Sequence, residues 1–417
     1  MARVSGGSLS SIDPKLKHLP YFEELVAHEE YAAEWRAASA GLLVLRLVDT
    51  WLEAGGLMPG EDWPTRNVES AVLEAEEGWA GRVLLSRIVA TTRDHEPDIH
   101  AVLGPMMAYA QVLEYDARWA LAVDVYQTVL AHLLPLEDSD ASIAAHLRLA
   151  HCYRTLNQND SAAGAYAAAG EIANRVGDLV GVLRARIGEG RISMLAGNLP
   201  QAEQIFDETI ASAKAADLHE VHSRALHSRA NVAHQRHQYE MAIQFAYAAL
   251  EHSPNQFERD RILGDIAVAF HELGVLSAAR DAYLLLSATA QDQYTRWVST
   301  LNLLDIASQT GAETLFERYR RELRDVKLPP YLATSYALNV GLGYQRFGDI
   351  DAARRFYSTA TSLAATHGFH QYSFEAEEAM QSLDRSGVST GEIRDVSLDL
   401  EEVANAIRAM KELAGVA

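Results

Sequence analysis

Alanine recurs in this chain at intervals too regular for a single irregular core. Ala122, Ala162, Ala202 and Ala242 stand forty residues apart, Ala279 follows after thirty-seven, and Ala353 lies twice thirty-seven beyond it. Four residues after most of them comes an aromatic: Tyr126, Tyr166, Phe206, Tyr283 and Tyr357, with Ala246 as the exception. Residues four apart share a helix face, so each alanine and its aromatic form a small-and-large pair on one surface. The gap between Ala279 and Ala353 requires a further unit, which Trp297 to Leu323 supplies with Phe316 in the alanine's place. A fixed period of this length marks stacked supersecondary units, each too small to bury its own apolar face.

The punctuation agrees. Gly197, Gly274 and Gly348 fall five residues before their alanines, where a helix must stop and a left-handed backbone is inexpensive for glycine. Pro254 falls twelve residues after Ala242. The most complete unit runs from Gly341 and Tyr344 through Gly348-Asp349-Ile350-Asp351-Ala352-Ala353-Arg354-Arg355-Phe356-Tyr357 to Ala360. This pattern resembles the tetratricopeptide repeat, over roughly Ile99 to Thr366, with a period longer than that family's 34 or so residues. The resemblance implies an all-α fold: a right-handed α-solenoid of helix-turn-helix repeats with helical N- and C-terminal caps.

The expected organisation is a helical cap or divergent repeats over 1–98, about seven repeats over 99–383, a polar linker over 384–396 and an amphipathic helix over 397–417. In the first segment, Tyr21 to Trp35, Gly41 to Ala54 and Asn67 to Arg93 read as helices, the last two separated by the breaker run Gly55 to Gly60. Gln371 to Leu383 reads as a capping helix. Leu400, Val403, Ile407 and Met410 form one apolar stripe, and Asp399 with Glu402 resembles a capping box. That last helix either docks on its own repeats, or contacts a partner, or occupies the groove as an autoinhibitor.

A net charge of −21 argues against non-specific binding to nucleic acid or anionic membrane surfaces. The single cysteine, Cys152, has no disulfide partner, and a reducing cytoplasm is expected. Met1 to Lys17 lacks the features of a secretory leader, and the apolar run from Gly41 to Val48 is broken by Arg46, so no membrane span is expected. No phosphate-binding loop, zinc-protease helix or nucleophile elbow occurs. His271-Glu272-Leu273-Gly274-Val275 lacks its second histidine, and Gly341-Leu342-Gly343 falls within a repeat helix. The histidine pairs His219/His222 and His234/His237 have metal-compatible spacing without an accompanying carboxylate or cysteine. The reading is therefore a non-enzymatic protein without cofactor or metal.

Numbering each unit so that its second-helix alanine is position 20, the resemblance implies that first-helix positions 2, 5, 6, 9, 12 and 13 face the concave groove. These positions hold Arg148, His151 and Arg154 in one unit, Arg184 and Arg191 in the next, and Arg224, His227, Asn231 and His234 in the third. Guanidinium groups pair bidentately with carboxylate or phosphate, and Asn231 offers both donor and acceptor to a peptide backbone. The arrangement resembles a carboxylate clamp, with Arg in place of Lys. It implies a scaffold or adaptor for an acidic or carboxylate-ended peptide or partner protein. The alternative is a regulatory sensor that binds a signalling peptide or a transcription partner. For the arginines themselves, the competing reading is pairing with acids of neighbouring helices, such as Glu189 or Asp178. Arg229 falls at position 7, which is normally apolar.

Overall fold

The computed structural model describes residues 16–54, 63–93, 99–134, 137–383 and 394–416. The leader reading of Met1 to Lys17, the breaker run Gly55 to Gly60 and most of the 384–396 linker lie outside these residues. Among the described residues there are twenty α-helices and no strand. The chain forms two compact units, Met1–Asn198 and Leu199–Ala417. No helix among the described residues is long and apolar enough to cross a membrane.

The first unit contains α1 (Leu19–Ala27), α2 (Ala33–Glu53), α3 (Trp63–Glu74), α4 (Ala80–Thr91), α5 (Ile99–Tyr115), α6 (Trp119–His132), α7 (Ser139–Thr155), α8 (Asn159–Val176) and α9 (Leu179–Leu195). The second contains α10 (Leu199–Ala215), α11 (His219–Gln235), α12 (Tyr239–Glu251), α13 (Gln256–Glu272), α14 (Leu276–Thr289), α15 (Gln293–Gln309), α16 (Glu313–Arg324), α17 (Pro330–Phe347), α18 (Ile350–His367), α19 (His370–Ser382) and α20 (Glu401–Leu413). From α5 onward, within each unit, each helix packs against the next in the chain up to α19, apart from a slighter α16–α17 contact alongside α15–α17.

The hairpins are tetratricopeptide-like because their contact positions are filled by size. Position 8 carries Ala110, Ala150, Gly190, Ala230, Ala267 and Gly341, all buried. A Cβ on Gly341 would come within 2.6 Å of the Tyr357 ring, so the close approach requires glycine. The degenerate unit compensates differently: Phe316 takes the alanine's place, and Gly343 on α17 yields the space that a Cβ would contest with its ring. Volume is conserved across the contact although neither residue matches the pattern.

Every turn inside a hairpin places position 15 in the left-handed region. Gly197, Gly274, Gly311 and Gly348 do so at φ 71 to 86°, and Ala117, Asn157 and His237 do so at φ 58°. Non-glycine residues there carry a backbone cost of roughly 1–2 kcal/mol, and three of these seven turns bear it.

The N-terminal helices differ from the sequence expectation. The break falls at His28–Ala32, and α2 runs unbroken through Ala37, Ala38, Ala40 and Gly41, whose small side chains are buried. Gly41 admits the rings of Tyr21 and Tyr109, so the small run is a packing surface rather than a turn. Asn67 to Arg93 is two helices, interrupted before Trp79. His18 ties this region down: buried, it lies 2.7 Å from Asp124 and 3.4 Å from Asp49.

At the other end, α20 docks on α12 and α14, both second helices. Leu400, Val403, Ala404 and Ile407 enter that core. Lys411 Nζ lies 3.1 Å from Asp281 Oδ1, and Arg408 lies 3.5 Å from the other oxygen of this buried carboxylate. The helix thus lies on its own repeats, away from the first-helix face. The expected capping box is not formed: a 3₁₀ turn over Leu398–Leu400 draws Asp399 into itself, and Leu400 becomes the N-cap without a side-chain bond.

Candidate functional site

The nine singled-out residues divide between the units, five on α7 and α9 and four on α11. In the first unit, α7 packs directly beside α9. Arg148, His151, Arg154, Arg184 and Arg191 are all half-buried there. Arg148 Nε lies 3.1 Å from Glu114 Oε1, a buried carboxylate on α5 that also accepts the Tyr126 hydroxyl. Burial pushes the Glu114 carboxyl up, against the pull of Tyr126 and Arg148. Arg154 donates to His151 Nδ1 at 2.9 Å, and the His151 ring stands edge-on to Trp119 at 5.5 Å. Accepting at Nδ1 leaves His151 neutral with its proton on Nε2. Arg186, half-buried on the same helix as Arg184 and Arg191, lies at position 4, outside the groove-facing set.

In the second unit, Arg224 pairs with Glu220 of its own helix at 3.1 Å. His227 is 3% exposed and lies 2.6 Å from Asp265 on α13, so its ring already has a carboxylate partner. Asn231 is half-buried, and His234 stands edge-on to Tyr239 at 5.3 Å. Arg229 points the other way, into the second helices: it pairs with Glu203 and Asp207 on α10 and lies over the Phe245 ring. His219 stacks on His252, with His222 tilted beside it. Burial and the neighbouring His252 push His222 down. Among the described residues no group of His, Cys, Asp or Glu side chains is placed to hold a metal ion.

Three further repeats carry polar groups on the same face, which positions 5 to 13 of α13, α15 and α17 would have revealed. Asp305 on α15 accepts from Arg346 of α17 at 2.7 Å and from Gln309 at 2.7 Å, with His271 of α13 at 3.5 Å. Arg346 also donates to the Ser308 hydroxyl. Beneath them lies the Tyr283 ring, whose buried hydroxyl has no hydrogen-bond partner. Burial, followed by the charges of Asp305, Glu272 and Asp265, pushes that phenol far up. The lone cysteine is inert for a different reason: burial and Glu114 raise the Cys152 thiol to about 12.

No protein-family model matches the sequence, and no curated protein matches it. Among solved structures 63 chains match. One is a Rap protein complexed with competence and sporulation factor, 12% identical over 82% of this chain and 100% of that one, at a TM-score of 0.46. Another is the Rap conjugation gene regulator of plasmid pLS20 in complex with the Phr* peptide, 13% identical over 84% and 98%, at 0.48. A tetratricopeptide repeat protein from Parabacteroides merdae is 10% identical over 83% and 100%, at 0.37. No residue role is carried from any of them to this chain.

Proposed function

We propose that this tetratricopeptide-type chain is a binding protein, without catalysis, that holds an anionic segment of a peptide or partner protein against the first-helix face of α7 and α9. The observation that supports this reading is the placement of Arg148, Arg154, Arg184 and Arg191 on two adjacent first helices of a chain with net charge −21. Half-buried guanidiniums are restricted before binding, so less side-chain entropy is lost when a carboxylate or phosphate arrives. Each charge-assisted contact contributes on the order of 1.5–3 kcal/mol where partly desolvated. Two such contacts and a few backbone hydrogen bonds suffice for micromolar affinity, near −8 kcal/mol.

The α11 residues are proposed as contacts of their own unit. Arg224 and Asn231 reach its surface, whereas His227 is closed by Asp265 and contributes to the wall rather than to a ligand. The scaffold and sensor forms of this reading differ in what is held: a folded partner or a short signalling peptide. Affinity capture from native lysate at low and high salt, with identification of the retained species by mass, separates them. A retained species that leaves with salt and is missed by the Arg184→Glu/Arg191→Glu chain supports the reading; one indifferent to both overturns it.

A further inference from the structure

Two of the four tyrosines at position 24 donate to position 12 of their own repeat. Tyr126 donates its hydroxyl to Glu114, and Tyr357 donates to Gln345, both at 2.5 Å, and both acceptors occupy position 12 of the same repeat. In the repeat whose aromatic is Phe206, position 12 is Met194, which has nothing to accept and nothing offered. In the repeat of Tyr166, position 12 is Arg154, which cannot accept, and in that of Tyr283 an acceptor is present but unused. Its position 12 is His271, but that ring stands edge-on at 6.3 Å between centroids, with Nε2 facing Gln309 at 3.0 Å and Asp305 at 3.5 Å. The hydroxyl of Tyr283, only 2% exposed, is left without a partner. A buried donor in that condition is costly, and native folds rarely leave one.

The groups around it set the chemistry of what is missing. Asp305, Glu272 and Asp265 bear on the hydroxyl, and Asp265 and Glu272 are open to solvent, with the Asp265 side chain 49% exposed. The cations facing them are Arg346 on Asp305 and, where protonated, His227 on Asp265 and His271 on Asp305. Gly264, beside Asp265 at position 5, contributes no side chain to cover it. We propose that the first-helix face of α13 and α15 binds a cationic nitrogen group of a peptide, an N-terminal ammonium or a Lys or Arg side chain, over Asp265 and Asp305. The cation takes up the carboxylate now facing His271, and His271 turns to accept the Tyr283 hydroxyl as position 12 does in the two other repeats. This rests on the reading of first-helix faces as ligand-facing, and it adds a site of opposite charge preference to the arginines of α7 and α9.

The test is calorimetric titration of the full chain with alanine pentapeptide amides: one with a free N-terminus, acetylated ones carrying a central Lys or Arg, and acetylated ones that are neutral or carry Glu. Binding of the free-amine peptide alone assigns the N-terminal ammonium, and binding of the acetylated Lys or Arg peptides assigns the side chain. Asp265→Asn keeps an acceptor for His227 and should weaken the cationic peptide about tenfold; Tyr283→Phe should weaken it a few-fold while leaving the melting temperature equal or higher. Arg184→Glu/Arg191→Glu should leave this binding unchanged. Equal binding of neutral and Glu peptides, no binding of any cationic peptide, or indifference to Asp265→Asn would overturn the proposal. The partner capture described above stands or falls separately on the arginine pair.

Discussion

The first helices of the two units use charge in opposite ways. On α7 and α9, five half-buried arginines stand beside two acids of the same helices, Asp140 and Glu189, and Arg148 leans on a carboxylate that burial has already made reluctant to ionise. On α13, α15 and α17, carboxylates are the centre of the network, each bridging to a histidine or arginine one repeat away. Both faces come from the same repeat positions, so the scaffold does not dictate the charge. The fold sets where a side chain stands, and only positions not needed for packing are left to vary. Pairing across repeats stabilises its own unit, and a face rich in one sign favours a ligand of the other.

Reversing the arginine charge gives the largest effect. Arg184→Glu with Arg191→Glu is expected to weaken capture of an anionic partner by about a hundredfold or more, roughly 3 kcal/mol, with helicity and melting temperature nearly unchanged by circular dichroism. A large loss of stability would place those arginines in a structural network and erase the contrast. Asp305→Ala works on the other side: it strips acceptors from Arg346 and Gln309 and should cost the second unit about 2–3 kcal/mol in urea unfolding. A loss below about 0.5 kcal/mol would reduce that network to ordinary surface pairing.

A third effect belongs to the first unit alone. Burial pushes His18 down, but hydrogen bonds to Asp124 and Asp49 outweigh it and raise the ring from 6.5 to about 9. Its folded form therefore holds a proton that the unfolded chain releases near 6.5, so the stabilisation is complete below that pH and lost as pH rises through 9. The expected loss is about 1–2 kcal/mol after solvent screening, seen as a falling melting temperature that His18→Gln renders flat over this window. The smallest effect is salt dependence: raising sodium chloride should weaken anionic-partner capture severalfold while changing the second unit's unfolding free energy in urea by about a few tenths of a kcal/mol at most.

Much of the fold was legible because packing positions are chosen by size, and size is written in the residue type. Ala122 through Ala353 and their aromatics marked the second helices, and the glycines marked the turns they occupy. Ala117, Asn157 and His237 occupy the same left-handed turn position without advertising it. The helices expected over Tyr21 to Trp35 and Gly41 to Ala54 are divided instead at His28–Ala32, because Gly41 is fitted to the rings of Tyr21 and Tyr109, which come from elsewhere in the chain. For the candidate site, the numbering located helices and positions but not partners. His227 meets Asp265 across 38 residues, and Arg229 turns to the opposite side of α11 altogether. Pairing across repeats depends on side-chain reach, which periodicity does not encode.

The docking of α20 bears on how the chain is made. A stack of hairpins contacts mostly its sequence neighbours, so it can assemble progressively as it is synthesised. Lys411 reaches back 130 residues to Asp281, and the apolar stripe of α20 fills a core begun by α12 and α14. Until α20 emerges, that core stays incomplete and a carboxylate destined for burial lacks its two cations. Emergence of α20 is thus the event that completes the middle of the second unit, and a ribosome stalled before Glu401 holds a stack that is folded in outline and open at its centre.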